Sequence, residues 1–96
     1  MKRAIKFMFT LYVAGDAQNS TQARVNLDAF CRKYLPARHQ IEVVDVFLQP
    51  KRALADAVFM TPTLVRLGPA PVKRIVGTLS QTEVLLRALG LEEILA

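Results

Sequence analysis

The chain has 96 residues, enough for one domain with a modest core and too few for two. It is 52% hydrophobic and 22% charged, globular proportions that exclude disorder, and its apolar runs are too short to span a bilayer. Thirteen Lys and Arg against eight Asp and Glu give a net charge of +5. That balance favours acidic partners, but the basic residues are scattered from Lys2 to Arg87 with no polybasic arm or stripe, which argues against nucleic acid.

Met1-Lys2-Arg3-Ala4-Ile5 leads into a strand-like alternation rather than a secretion signal, so a cytoplasmic protein is expected. Ile5, Phe7, Phe9, Leu11 and Val13 alternate with Lys6, Met8, Thr10 and Tyr12, a period of two that predicts a strand. Met8 and Tyr12 make its second face partly apolar, as in a central strand covered on both sides. Residues 14–18 break the pattern as a loop, and Asn19 or Ser20 can cap the helix that follows. Ala23, Leu27, Phe30 and Tyr34 fall on one stripe of that helix, which Pro36 ends.

Cys31 is the only cysteine and His39 the only histidine. An intramolecular disulfide is therefore impossible, and no close pair of metal ligands exists, so neither a metal nor a cofactor is expected. Cys31 sits beside the apolar stripe and reads as a small buried hydrophobe rather than a reactive thiol.

Ile41 to Phe47 is rich in β-branched residues and predicts a second strand, parallel to the first because a helix joins them. Pro50 suits the first turn of a short helix through Ala53, Leu54, Ala57 and Val58. Two strand-like runs, 61–67 and 72–76, are joined by Gly68-Pro69-Ala70-Pro71 as an antiparallel hairpin. Ser80 with Glu83 forms a capping box for a last helix with Val84, Leu85, Ala88 and Leu89 on its apolar face. Gly90 closes that helix in a left-handed cap with Leu91 as its hydrophobic contact. Residues 92–96 extend or fray it.

The order βαβαββα is that of the thioredoxin fold, an α/β class with a mixed four-stranded sheet in a single domain over residues 1–96. Pro62 stands where such folds hold a cis-proline. The first βα loop, Ala14 to Ser20, has no cysteine to carry disulfide exchange, and Ser20 has no neighbouring base. No Gly-rich phosphate loop with a Lys occurs. An enzyme is not expected.

Leu11-Tyr12-Val13-Ala14-Gly15, Asn19-Ser20, Asp45-Val46, Thr61-Pro62-Thr63-Leu64, Pro69, Pro71-Val72-Lys73-Arg74-Ile75, Gly77 and Leu79-Ser80 together resemble the KaiB family, without gaps from about Phe7 to Leu91. The resemblance implies a non-enzymatic regulator that docks on a KaiC-type ATPase in circadian or stress timing, competes with a sensor kinase and helps to sequester KaiA. It also implies a switch between the thioredoxin-like fold and a ground-state fold rearranged over residues 50–91, with a monomeric, dimeric or tetrameric free form. Gly15, Pro62, Pro71, Gly77, Ala88 and Gly90 are the residues to which it gives structural or switching roles. Ala88 stands where clock members carry Gly, which favours helix there and hence the thioredoxin-like state, and Gly90 replaces a usual Asp.

Other departures concern charge. The stretch 51–57 is basic at Lys51-Arg52 where the family is acidic, Gln22 stands for an Arg, Glu42 for a Lys and Thr78 for an Asp. The expected docking surface is the exposed second strand flanked by the first helix, with Gln22, Arg24, Glu42, Arg66, Lys73 and Arg74 setting its electrostatics. Loss of KaiC binding, leaving a stand-alone thioredoxin-like interaction module without redox activity, is the alternative.

Overall fold

A computed structural model describes residues 6–91 of the chain. Strand β1 (Phe7–Val13) lies at the centre of a sheet whose order is β2-β1-β3-β4. It pairs in parallel with β2 (His39–Asp45) and antiparallel with β3 (Thr63–Gly68), which in turn pairs antiparallel with β4 (Lys73–Val76). Helices α1 (Gln18–Tyr34), α2 (Pro50–Ala55) and α3 (Thr82–Ala88) complete the βαβαββα order. The predicted start at Ile5 and the residues after Leu91 lie outside the described segment.

The period of two in β1 works on both faces. Phe7, Phe9, Leu11 and Val13 meet Ala23, Leu27 and Phe30 of α1, Leu64 of β3 and Leu85, Leu86 and Leu89 of the last helix and its cap. Tyr12 turns the other way, into a smaller cluster with Val44, Ala53, Val58 and Val65 under α2. Burying each of these large side chains contributes about 1.5–3 kcal/mol, so the larger cluster fixes the fold and the smaller one only seats α2.

Tertiary bonds reset several predicted boundaries. Helix α1 begins at Gln18, ahead of both expected caps, and Ser20 is buried in its first turn with its hydroxyl accepting the Ala14 N–H at 3.0 Å. Ser20 thus ties the loop to the helix instead of capping it. Strand β2 runs two residues earlier than the predicted 41–47, because its parallel register matches Phe7 to His39 and Val13 to Asp45. The Asp45 carboxylate then accepts the Phe47 N–H, and its carbonyl accepts those of Leu48 and Gln49, turning the chain out of the sheet. Helix α2 stops at Ala55, short of the predicted Ala57 and Val58, and Ala57 takes a left-handed φ of 55°. The Val58 N–H closes the turn on the Ala53 carbonyl.

The capping box at Ser80 is not formed. Leu79 adopts φ 62° to bury its side chain, Ser80 is left exposed beside Thr78, and α3 starts at Thr82 with no side-chain cap. Leu85, Leu86 and Leu89 form its inner stripe, and Val84 turns outward at 46% exposure. Its end is as predicted: Gly90 has φ 72°, the Gly90 N–H bonds to the Arg87 carbonyl, and the Leu91 N–H bonds to that of Leu86. Residues 82–88 are therefore helix, and the expected alternative with residues 50–91 rearranged is not the arrangement seen. The Thr61–Pro62, Gly68–Pro69 and Ala70–Pro71 peptide bonds are cis.

Candidate docking surface

Strand β2 is an outer strand of the sheet, so among the described residues one row of its backbone N–H and C=O groups has no ladder partner. Its odd-numbered side chains share the α1 face with Phe9 and Leu11, their register partners. Ile41 and Val43 there border a shallow groove of about 400 Å³, closed on the helix side by Arg24, Val25 and Asp28. Val25 and Val43 are 59% and 40% exposed. The groove therefore offers open backbone, apolar surface and both signs of charge within one strip.

Glu42 points to the opposite face, where Arg52 of α2 donates to both its carboxylate oxygens at 2.7 Å. These charge-assisted bonds hold the Glu42 carboxyl below its usual range and the guanidinium above its own. Glu42 and Arg52, two of the charge departures expected from the resemblance, neutralise each other here. Gln22 is exposed on α1, its amide donating to Asn26 at 3.1 Å, and Arg24 is exposed one turn from the groove's floor.

The remaining expected docking residues are not on this surface. Lys73 and Arg74 are exposed on β4, three strand spacings from β2, roughly 14 Å. Arg66 is a correction. It is 5% exposed, on the same face as buried Leu64, and its guanidinium donates to the Leu89 carbonyl at 2.6 Å and the Pro71 carbonyl at 2.8 Å. A side chain clamped between the hairpin and the end of α3 is structural and cannot meet a partner.

At the end of the sheet where β1 and β2 finish, the loop turns at Gly15 with φ 53°, and the Phe47 ring lies beside it. Cys31 is far from being a nucleophile: it is fully buried in the larger core cluster, and desolvation, with Asp28 nearby, pushes its thiol up to about 12. Native protein is therefore expected to resist thiol reagents at pH 8 and to react fully once unfolded in denaturant; rapid native labelling would contradict the burial. Among the described residues no group of three His, Cys, Asp or Glu could hold a metal ion, and no helix is long and apolar enough to cross a membrane.

Two features escaped sequence reasoning. Tyr12 donates its phenolic hydrogen to the Asp56 carboxylate, a pairing that depends on where α2 lands on the sheet. Phe47, Leu48, Leu54, Phe59 and Met60 are all more than 60% exposed. The signal for the last two was an apolar pair without helix or strand period just before Thr61-Pro62.

The family model of the KaiB domain matches residues 10–91. The circadian clock protein KaiB3 of Synechocystis sp. is 37% identical over 91% of this chain and 83% of its own length. The circadian clock oscillator protein KaiB of Thermostichus vulcanus is 39% identical over 88% and 79%. Among solved structures, the N-terminal domain of Synechococcus elongatus SasA superposes with a TM-score of 0.72 at 20% identity, over 100% of this chain and 90% of that one. Chloroplastic thioredoxin z gives 0.73 at 15%, over 93% and 80%. Those two likenesses establish the thioredoxin-like fold, while the family match, which runs from within β1 to beyond α3, and the two clock relatives place this chain in the KaiB family.

Proposed function

We propose that this domain is a circadian or stress-timing regulator without catalytic activity that docks on a KaiC-type ATPase through the β2 edge and the α1 flank. The observation that carries this reading is the open β2 edge beside an apolar groove rimmed by Arg24 and Asp28, since an added strand gains main-chain bonds while side-chain pockets supply specificity. The cysteine-free loop and the buried Cys31 support binding rather than redox chemistry. The SasA domain, with the same fold, supports competition with a sensor kinase for a common docking place, and KaiA is a further partner. A fold switch would act on residues 50–91, which include α2, the hairpin and α3.

The Glu42–Arg52 pair favours a partner that does not need a free charge at position 42. Purified protein mixed with the KaiC-type ATPases of its own organism and ATP is expected to elute as a stable complex on size exclusion. Arg24→Glu is expected to weaken that complex by about tenfold, through like-charge or lost-charge contacts at the rim, and Lys51→Glu, away from the groove, to leave it unchanged. Absence of a complex with any of these ATPases would leave the second reading, a stand-alone interaction module.

A further inference from the structure

We propose that the open edge of β4, with the groove beside it, is a second docking site that takes an extended acidic segment of a partner protein. The inference does not depend on KaiC binding, and β4 lies on the opposite side of the sheet from β2.

The ladder fixes which groups face outward. The Gly77 N–H bonds to the Pro62 carbonyl, continuing the register in which Thr63 meets Val76 and Val65 meets Arg74. Antiparallel pairs alternate between bonded and unbonded. The residues at 73, 75 and 77 therefore bond inward to β3, and the backbone groups of Arg74 and Val76 point to the free edge.

Their side chains lie on the α2 face, because Arg74 is opposite Val65, a member of the cluster under α2. Helix α2 does not extend over β4, so Arg74 and Val76 remain exposed. Beside them Val58, Phe59, Met60 and Thr63 complete a groove of about 160 Å³, with Arg74 at its rim. Phe59 is 82% exposed and Val76 54%, more apolar surface than a solvated strand edge needs.

Charge selects the occupant. Neither Lys73 nor Arg74 has an acidic partner among the described residues. Pairing with a second copy of this chain would bring Lys73 and Arg74 of both molecules together across a four-residue strand, where like charges are destabilising. A partner strand with an acidic residue opposite Arg74 and an apolar one two positions away satisfies the charge and fills the groove together, since alternate residues share a face.

The test is an NMR titration of the full chain with the blocked peptide Gly-Val-Thr-Asp-Thr-Val-Gly, which places an apolar residue two positions from the acid in either strand direction. Its counterpart with Lys in place of Asp is the control. The Asp peptide is expected to shift the amides of Arg74, Val76 and residues 58–60 and to bind at least about tenfold more tightly than the Lys peptide. Arg74→Glu is expected to reverse that preference. Val76→Pro removes one outward N–H without removing a ladder bond, and is expected to abolish binding while leaving the other amide signals in place. Equal binding of both peptides, shifts confined to β2, no binding at millimolar peptide, displacement by a short oligothymidine, or concentration-dependent self-association through β4 would each overturn the proposal.

Discussion

Replacing Arg66 with Met is expected to lower stability by about 2 kcal/mol and to loosen α3 more than the rest of the domain. The guanidinium donates to the Leu89 carbonyl at the end of α3 and to the Pro71 carbonyl in the hairpin loop, and a cation at a helix C-terminus also complements its dipole. Methionine fills similar volume but donates nothing. The Leu89 carbonyl then loses its partner in a buried place, which costs about 1–3 kcal/mol. Pro71 is exposed, so water can replace that bond at little cost.

One term opposes the loss. The Arg66 Nε is buried without a partner, and no carboxylate neutralises the guanidinium among the described residues, so the substitution also removes a desolvated charge. The deficit at Leu89 wins because a backbone carbonyl cannot be moved to water without unwinding the cap at Gly90. A loss of about 2 kcal/mol corresponds to a melting-point drop of roughly 10 °C for a domain of this size. Lysine keeps the charge but lacks the planar fork whose two nitrogens reach the two carbonyls separately, and is expected to fall between the two. Hydrogen exchange that rises at residues 85–91 in the Met variant would support the clamp. Uniform acceleration across β1 and α1 would show instead that Arg66 contributes only to the general core.

The misplacement of Arg66 shows how far local pattern reached. Period two in Thr63-Leu64-Val65-Arg66 puts Leu64 and Arg66 on one face, so the signal that Arg66 points inward was present, but a cationic side chain on a hairpin strand reads first as solvated. The order of elements was legible because each has its own periodicity: alternation in β1, the four-three-four spacing in α1, Gly90 after α3. Their ends were not, because distant groups set them. Ser20 is drawn from capping to the Ala14 N–H, and Asp45 stops β2 by turning the chain with its own carboxylate.

Strand order decided the rest. The docking residues expected on one surface separate into a β2 set and a β4 set because β3 inserts beside β1, and a hairpin's own sequence does not say which of its strands takes the inner position. The Glu42–Arg52 pair was hidden for the same reason. Two charge departures ten residues apart look independent until α2 is seen to lie across β2.

Tyr12 gives α2 its second tie, and it makes stability fall at alkaline pH. Its ring is fully buried in the cluster under α2, and its hydroxyl donates to the Asp56 carboxylate. Burial, the hydrogen bond and the negative charge of Asp56 all favour the neutral phenol, raising its pKa from 10 to about 12. Below pH 10 the phenol is neutral in both folded and unfolded chains, and the stabilisation is complete. Between pH 10 and 12 the unfolded chain loses its proton first, so stability declines, by about 2–3 kcal/mol once the folded phenol also ionises. Tyr12→Phe keeps the ring and removes the hydroxyl. At pH 7 it is expected to cost about 1 kcal/mol, with Asp56, which is only partly buried, recovering water.

The difference between the two proteins isolates Tyr12, since the raised Cys31 thiol contributes its own alkaline loss to both. Urea unfolding at pH 7, 9, 10.5 and 11.5 is expected to show a constant gap up to pH 9 that closes and then reverses as the pH approaches 12. Amide exchange in residues 50–55 is expected to rise first, because with Tyr12 ionised against Asp56 what still holds α2 to the sheet among the described residues is the exposed Glu42–Arg52 pair and the apolar cluster around Ala53 and Val58. A gap that stays constant to pH 11.5 would mean that water reaches the phenol and that α2 is seated by its apolar contacts alone.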